Sequence, residues 1–390
     1  MPDGAETFAV RTVEAVARVD RAVWDRCAGA DNPFVSWEFL NALEESGSVG
    51  AEAGWLPQHA VLEDRAGAVL GVAPMYLKNH SQGEYVFDWG WADAYERAGG
   101  RYYPKLIVAV PFTPVTGPRL LAPPGPRRAD LQRTLASALV RIAERIGVTN
   151  LHITFPTAGE AALAEDLGLL RRRAFQYHWH NRDYGSFDDF LGALASRKRK
   201  AIRKERAAVA AAGIDVRALT GDDLRSEHWD IFHRFYTDTY DRKWGYPYLT
   251  RGFFRLLHER MADRVALIWA TADGAPVAGA LNFIGADALY GRNWGCAADV
   301  KFLHFETCYY QAIDFAISRG LGRVEAGTQG PHKVQRGYLP VETWSAHWIA
   351  DRGFRNAVED FLERESAAIL HEMRIMSRHS PYRQGGGGWG

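Results

Sequence analysis

The stretch Pro276-Val-Ala-Gly-Ala-Leu281, followed by Arg292-Asn-Trp-Gly295, decides the fold, because the first half of the chain contains a matching pair. The matching pair is Ala68-Val-Leu-Gly-Val-Ala73 and Phe87-Asp-Trp-Gly90. In both halves an apolar run typical of a strand precedes a Trp-Gly segment, which we predict to be the next strand. The two halves therefore follow one plan.

The same order of features continues after the Trp-Gly segments. In the first half a helical pattern ends at Gly147 and the strand segment Leu151-His-Ile153 follows. In the second half a helical pattern ends at Gly320 and Val324-Glu-Ala326 follows. A glycine just beyond an amphipathic helix is a common C-terminal cap. Matches in the same order predict a tandem duplication of the α/β (α+β) class, in which each half is a mixed sheet flanked by helices.

The halves differ in length because the first contains an insertion rich in glycine, proline and aromatic residues, near 88–126. A loop of this length in a compact domain is usually functional or mobile. We expect a first lobe over 1–183 and a second lobe over 184–377. The second lobe should begin with a long basic helix at 187–212, and 378–390 should be a flexible Gly-rich tail.

Composition restricts the class of protein. The 390 residues include 47 basic and 47 acidic side chains, so the formal net charge is zero at pH 7 and no overall field attracts nucleic acid or a membrane. Three scattered cysteines form neither a metal-binding spacing nor a disulfide framework, and they favour a reducing cytoplasm. No apolar run reaches the ~18 residues of a membrane span, and we expect no signal peptide.

Several common catalytic motifs are missing from the sequence. It contains no Walker A loop, no Gly-x-Gly-x-x-Gly after a strand, no Gly-x-Ser-x-Gly and no zinc-binding spacing. Their absence disfavours phosphoryl transfer, hydride transfer and serine hydrolysis. We expect no bound metal.

The segment from Glu325 to Pro340 is the strongest candidate for a site. It follows a predicted strand, and its glycines allow the backbone to approach a ligand closely. Open α/β sheets bind ligands at strand ends. We therefore favour a functional loop over a polar connection, with His332 or Glu325 as a base and Lys333 and Arg336 as holders of an anion.

Two aromatic segments supply candidate substrate-binding residues. The candidates in the second half are Arg292, Asn293, Trp294, His304, Glu306 and Tyr338, and those in the insertion are Trp91, Asp93 and Tyr95. Glu306 has an alternative reading, in which it only complements the dipole of a helix start. The insertion also has one, an ordered aromatic loop without a ligand.

The densest charge cluster is Arg197-Lys-Arg-Lys-Ala-Ile-Arg-Lys-Glu-Arg206. On a helix its basic side chains cover most of the circumference, a surface that can bind the phosphates of a nucleotide or of RNA. The candidate phosphate-binding residues are Arg197, Lys198, Arg199, Lys200 and Arg203. The alternative is a solvated helix whose charge is balanced by neighbouring acids.

These segments together resemble the FemAB-like family of the GNAT superfamily, a family of peptidoglycan biosynthesis or recognition. The segments that carry the resemblance are Trp91–Arg97, Tyr102–Lys105, Pro111–Gly117, the basic helix from Arg197, Phe305–Ala316, Gly327–Lys333 and Arg336–Pro340. They span nearly the whole chain.

The resemblance implies two tandem GNAT-like lobes of the acyl-CoA N-acyltransferase type. It also implies aminoacyl or acyl transfer to an amine of a peptidoglycan-precursor-like or small-molecule acceptor, with aminoacyl-tRNA as the donor. GNAT domains hold coenzyme A with an Arg/Gln-x-x-Gly-x-Gly/Ala loop. This loop is missing before the helix at Phe305, so acetyl-CoA is the less favoured donor and no tightly bound cofactor is expected.

Two other hypotheses stay open at the level of sequence. One is a non-catalytic module that recognises a peptidoglycan precursor, since a fold can keep its binding surface without chemistry. The other is an acetyl-CoA-dependent N-acetyltransferase with an atypical coenzyme A loop.

Overall fold

The chain divides into two compact units in the computed structural model, which describes residues 8–241, 246–327 and 330–383. Unit 1 comprises the residues up to Ala174 together with Thr343–Ile369, and unit 2 comprises Phe175–Glu342 together with the residues from Leu370. The two-lobed α/β architecture is confirmed. The bounds differ from the continuous halves expected, because Thr343–Ile369 returns to unit 1.

Unit 1 contains five helices and two sheets among the residues described. Its helices are α1 (Arg21–Ala28), α2 (Trp37–Glu45), α3 (Trp89–Arg97), α4 (Arg128–Ile146) and α5 (Ala158–Asp166). Its strands are β1 (Ala9–Val13), β2 (Trp55–Pro57), β3 (His59–Glu63), β4 (Val69–Ala73), β5 (Met75–Lys78), β6 (Lys105–Val108) and β7 (Asn150–Thr154), with the first part of β8 (Leu170–His180) and the last part of β14 (Leu339–Ile349). One sheet has the order β1-β3-β4, and the other includes β2-β5-β6-β7-β14.

Unit 2 carries the rest of β8 and β14 and five further strands, β9 (Ile214–Leu219), β10 (Val265–Ala272), β11 (Ala275–Ile284), β12 (Ala288–Cys296) and β13 (Arg323–Glu325). Its helices are α6 (Phe187–Ala193), α7 (Ser196–Ala211), α8 (Ser226–Asp241), α9 (Arg251–Met261), α10 (Leu303–Phe305) and α11 (Gln311–Ser318), with a π-helical turn at Glu306–Tyr310. A final helix, α12 (Arg352–Arg378), begins in unit 1 and ends in unit 2. The strands follow the order β8-β13-β12-β11-β10-β9.

The duplicated element is a strand, a helix and a parallel strand. In unit 1, β6 and β7 are parallel and α4 lies between them in the chain. In unit 2, β12 and β13 are parallel with α10 and α11 between them. Both helices end as predicted, because Gly147 and Gly320 adopt left-handed φ values of 80° and 66°. Buried leucines of α4 pack on the unit 1 sheet and stabilise it.

The Trp-Gly segment of the first half is not a strand, contrary to the prediction. Trp89 and Gly90 begin α3, whereas Trp294 and Gly295 lie on β12. Tyr85 has a φ of 58°, which interrupts an extended chain, and the residues after Trp89 repeat at helical spacing. The unit 1 counterpart of β12 is β6, inside the expected insertion.

The long basic helix is interrupted between α6 and α7. The extended residue Leu194 ends α6, and the C-terminal segment bonds to the gap, with Ala195 N–H donating to Pro381 O (2.9 Å) and Arg383 N–H to Ala193 O (3.1 Å). These bonds replace the intrahelical ones. They also fix part of the segment expected to be a loose tail, of which 384–390 lies outside the described residues. No helix in the described part of the chain is long and apolar enough to cross a membrane.

Candidate functional site

More than half of β12 extends beyond its parallel neighbour β13. The last paired residues are Tyr290 on β12 and Glu325 on β13, and β12 continues to Cys296. Three predicted substrate-binding residues, Arg292, Asn293 and Trp294, lie on this extension and are half-buried. The extension is therefore the part of the unit 2 sheet where a ligand can lie beside a strand end.

A cluster of rings lies at this end of the sheet, and we call it the imidazole site: Trp294, His304, Phe305, Tyr309 and His332. The ring of His304 is 5.3 Å from that of Trp294 and 6.3 Å from that of His332. The Tyr309 hydroxyl lies 3.0 Å from His332 Nε2. The structure thus brings together three sequence-predicted residues, Trp294, His304 and His332, and adds Phe305 and Tyr309 from the family-like segment Phe305–Ala316.

The environment of His332 keeps its imidazole neutral. Burial lowers the pKa of His332, and the neighbouring Arg336 and Lys333 lower it further. A neutral imidazole can accept a proton near pH 7. Gly330 has a φ of 103°, and a Cβ there would lie 2.5 Å from His332 Cε1. Glycine is therefore required for the loop to pass the ring.

Lys333 and Arg336 do not present free cations, which corrects their predicted role. The Arg336 guanidinium donates to both carboxylate oxygens of Glu205 at 2.9 Å and stacks 3.4 Å from the centre of the Phe305 ring. The Lys333 ammonium donates to Ala326 O and is buried. Burial lowers the pKa of Lys333 to about 8. Both side chains hold the loop in place.

Glu306 and Tyr338 are structural as well, contrary to the expectation that they bind substrate. Glu306 is 5 % exposed and pairs with Arg206 of α7 at 3.0 Å. Tyr338 is fully buried, and its hydroxyl donates to Tyr309 O at 3.1 Å. Both side chains are buried and hydrogen-bonded within the protein.

Glu325 lies at the end of β13 beside His178, which the sequence did not indicate. Its Oε1 accepts from Arg323 Nε at 3.0 Å, and its Oε2 is 3.6 Å from His178 Nε2, too long for a hydrogen bond. Burial raises the pKa of Glu325 and lowers that of His178 to about 3. Because Glu325 is only 3 % exposed, His332 is the better placed base.

The inner face of α7 is tied to the loop, and its outer face is open. Glu205 accepts from Arg336 and from the Tyr310 hydroxyl, and Lys198 donates to Gln335. A neighbouring pair joins Arg203 to Asp188 at 2.9 Å. In the part of the chain that the structure describes, four cations of α7 have neither an ion pair nor a side-chain hydrogen bond: Arg197, Arg199, Lys200 and Lys204.

The candidates of the insertion lie in unit 1, on α3. Trp91 and Tyr95 line a groove of about 830 Å³ between α3 and the first half of α12, which we call the α3–α12 groove. Tyr95 stacks on Phe354 with ring centres 4.4 Å apart. Asp93 lies on the exposed face and pairs with Arg97 at 2.7 Å. The structure therefore separates Asp93 from the other two.

A buried ionic cluster holds the start of α3 to the unit 1 sheet, and we call it the Lys105 cluster. The Lys105 ammonium donates to Asp88 (2.5 Å), Glu84 (2.8 Å) and Ser81 (2.7 Å), and its side chain is fully buried. Burial alone would lower the pKa of Lys105, but Glu84 and Asp88 raise it above its usual value. Burial raises the pKa of Glu84 to about 7.

Two buried histidines continue from this cluster, and their tautomers follow from their partners. Asn150 Nδ2 donates to Tyr102 O, so Asn150 Oδ1 accepts from His152 Nε2 at 2.7 Å. His152 Nδ1 must then accept from His347 Nδ1, 2.5 Å away. His347 Nε2 is left to accept from the Ser345 hydroxyl at 2.8 Å. Both imidazoles are neutral, and neither can take a proton without losing a hydrogen bond.

The protein should lose stability in mild acid because of His152. Burial lowers its pKa from 6.5 to about 3, so the unfolded chain binds more protons below pH 6.5 and stability falls as the pH drops from 6.5 towards 3. Between pH 6.5 and 5 the loss is about 2 kcal/mol, at 1.36 kcal/mol per pH unit. The contribution of Glu84 to stability has the opposite sign in this pH interval, because its raised pKa makes the folded chain bind the extra proton.

Urea unfolding at pH 7.5, 6.5 and 5 can isolate the histidine from Glu84. Relative to the unchanged protein, His152→Asn should lose about 2 kcal/mol less between pH 6.5 and 5, whatever its stability at pH 7.5. The exposed His371→Asn on α12 is the control and should keep the full pH dependence. If the free energy of unfolding changed equally with pH in the unchanged protein and in His152→Asn, the acid sensitivity could not come from His152.

The residues in front of α10 do not fit the pyrophosphate of coenzyme A, which GNAT-type folds hold at a helix start. The Leu303 N–H bonds to Val300 O (3.1 Å), and the N–H groups of Phe305 and Glu306 both bond to Phe302 O (2.9 and 3.0 Å). These donors are already used, so the helix start offers little to an anion. Within the described residues no group of His, Cys, Asp or Glu side chains could hold a metal ion.

Comparisons with known proteins agree with this architecture. The FemAB-like family, described as peptidoglycan biosynthesis/recognition, matches residues 15–384. Curated protein sequences give no match. The crystal structure of FemX is similar, with a TM-score of 0.54 and 10% identity over 90% of this chain and 100% of that chain.

Two further solved structures are similar in the same way. The C-terminal domain of a putative lysylphosphatidylglycerol synthetase from Agrobacterium fabrum has a TM-score of 0.52 and 9% identity over 90% of this chain and 97% of that chain. L-PGS from Bacillus licheniformis has a TM-score of 0.50 and 9% identity over 91% and 99%. At such identities the similarity establishes the fold alone. Because the family match covers nearly the whole chain, this protein belongs to the FemAB-like family of peptidoglycan biosynthesis/recognition.

Proposed function

We propose that this protein is an N-acyltransferase that moves an aminoacyl or acyl group from an activated ester to an amine of a peptidoglycan-precursor-like acceptor. The observation that carries the proposal is the neutral imidazole of His332, held by Tyr309 beside the free extension of β12. Membership of the FemAB-like family supports the acceptor class.

The chemistry needs a base, because only a neutral amine attacks an acyl carbon. The amine nitrogen forms the C–N bond, the ester C–O bond breaks, and the amine proton passes to His332 and from there to the departing alkoxide. In the tautomer whose Nε2–H donates to the Tyr309 hydroxyl, Nδ1 of His332 carries the free lone pair. Burial raises the pKa of Tyr309, so its phenol stays protonated and does not compete for the proton.

The outer face of α7 supports aminoacyl-tRNA as the donor. Its four unpaired cations form a compact patch on one helix, suited to a phosphate backbone. A tRNA donor would place the reaction in the cytoplasm. The donor groups already used in front of α10 argue against the alternative of an acetyl-CoA-dependent enzyme.

Removal of the α7 patch should weaken tRNA binding and its salt dependence. Changing Arg197, Arg199, Lys200 and Lys204 together to glutamine should flatten the slope of log affinity against log salt by up to about 3, if all four neutralise phosphates. Fluorescence anisotropy at about 50–200 mM salt measures this slope. A quadruple change of arginines at α4 is the matched control, three of them exposed (Arg127, Arg141 and Arg145) and one half-buried (Arg128). Equal losses in the two variants would show that the patch has no special role.

The transfer reaction itself is tested by product mass. The protein is incubated with a muramyl-peptide precursor and either charged tRNA or acetyl-CoA. The proposal predicts a precursor that gains the mass of one aminoacyl residue, only with charged tRNA. An acetylated product would favour the acetyltransferase alternative, and precursor binding without any product would favour the recognition module. Either result would contradict the proposed donor or the proposed reaction.

A further inference from the structure

The α3–α12 groove is lined almost entirely by apolar and small residues. Aromatic rings of Trp91, Tyr95, Phe354 and Phe361 form its walls. On α3 a Cβ added to Gly90 would meet no atom within 4 Å, so the groove is open at this point. A groove of about 830 Å³ has the size of a small-molecule site.

Two charged side chains line the groove, the cation of Arg364 and the carboxylate of Asp351. Arg364 lines the groove, is exposed, and has no ion-pair partner in the described ranges. The Asp351 carboxylate is engaged with the Phe354 N–H at 2.6 Å. Arg172, which stacks on Trp91, is held by both oxygens of Glu365 at 2.7 Å. An anion at the edge of the groove would therefore meet Arg364.

The side chains of the lining offer few hydrogen bonds to a ligand. A sugar ring or a peptide requires several donors and acceptors around it. Besides Arg364 and Asp351, the described lining residues carry polar side-chain atoms only in the Tyr95 hydroxyl and the Trp91 indole N–H. Phe87 and Phe361, 51% and 39% exposed, extend the apolar surface outwards. This chemistry fits an apolar chain that ends in an anion.

We propose that the α3–α12 groove binds a long-chain fatty acid, with the chain against the aromatic walls and the carboxylate at Arg364. The binding is a property of unit 1 and is independent of the acyl transfer proposed for unit 2. The site belongs to the chain whether or not it transfers acyl groups.

Calorimetric titration with octanoate, decanoate and dodecanoate, each below its micelle concentration, tests the apolar part. Burial of each methylene group should raise affinity about fourfold, so each step of two methylenes should give roughly a sixteenfold gain. An affinity that does not change with chain length would overturn the proposal, since a chain that stays in water gains nothing.

A side chain that fills the groove should weaken dodecanoate binding without lowering the stability of the protein. Gly90→Leu places a side chain in the open space of the groove and is a better helix former than glycine. It should lower dodecanoate affinity at least tenfold and leave the melting temperature unchanged or higher. Gly159→Leu, on α5 and equally free of neighbours, is the matched control and should bind normally. Normal binding by Gly90→Leu would overturn the proposed position of the chain.

The anion is tested by charge reversal. Arg364→Glu should lower dodecanoate affinity about fivefold and raise that of dodecyltrimethylammonium, which has the same chain and a positive head. Arg141→Glu on α4 is the control for the change of net charge. Unchanged selectivity in Arg364→Glu would overturn the role of Arg364. Binding of N-acetylmuramic acid with no binding of dodecanoate would overturn the ligand class.

Discussion

Replacement of Lys105 by methionine should lower the free energy of unfolding by about 3–5 kcal/mol, because it leaves the buried Asp88 without its cation and leaves Glu84 with only Lys78, 3.7 Å away. Asp88 is 1 % exposed and Glu84 is 4 % exposed, so water cannot take over the role of the ammonium. In the intact cluster the ammonium of Lys105 holds the pKa of Asp88 well below its usual range against the effect of burial, so Asp88 stays ionised. Urea unfolding at pH 7.5 measures the loss.

A second variant distinguishes a lost ion pair from a lost shape. When Asp88→Asn and Glu84→Gln are added to Lys105→Met, both acids lose their charge together with the cation, while the buried Lys78 remains, and part of the stability should return. The exposed Arg141→Met on α4 removes a cation without burying an acid and should change stability by less than about 0.5 kcal/mol. A loss of this small size in Lys105→Met would show that the cluster is not ionic.

The same change should also alter the α3–α12 groove. Asp88 immediately precedes α3, and Trp91 on the first turn of α3 packs edge-on against His347 with ring centres 4.9 Å apart. If Asp88 loses Lys105, the start of α3 loses its attachment to the sheet. We therefore expect Lys105→Met to weaken dodecanoate binding in proportion to its loss of stability, whereas Gly90→Leu weakens binding alone.

The repeat was predictable because hydrophobic periodicity and terminal glycines are local signals. Leu131, Leu135 and Leu139 recur at helical spacing, and the helix that they predict is α4. The prediction that both Trp-Gly segments are strands was wrong for the first half, because the same dipeptide begins a helix at Trp89 and lies on a strand at Trp294. The residues around each pair decide its structure, and a short identity carries no periodicity.

The composition of the site was predictable, but the partners of its charges were not. The sequence shows that Lys333 and Arg336 are cations near His332, and it does not show that Arg336 faces Glu205, 131 residues away. Tyr309 and His332 are likewise brought together by the fold. Pairing across such separations depends on sheet order and helix packing, which no local pattern encodes. For this reason Lys333 and Arg336, predicted to hold an anion, were found to hold the loop in place. The role of His332 as a base remains a prediction.

Replacement of His332 by alanine should lower kcat/KM for acyl transfer about 10²–10⁴-fold, the usual contribution of a general base. His332 is half-exposed beside the β12 extension, so its loss should leave the fold and the melting temperature nearly unchanged. His371→Ala on α12, also exposed, is the matched control and should keep full activity. Tyr309→Phe keeps the base and removes only the hydroxyl that orients it, so its loss should be smaller.

The pH profile separates a base from a residue that only shapes the site. Burial and the neighbouring cations lower the pKa of His332 below 6.5, so the neutral form dominates at pH 7 and activity should fall only as the pH drops through that lowered pKa. The residual activity of His332→Ala should no longer fall as the pH drops through this pKa, so the acidic limb of the pH profile should be absent. If the variant kept both its activity and the limb, the base would have to be Glu325, and Glu325→Gln should then remove the limb. A structural role for His332 would instead lower activity at every pH by the same factor.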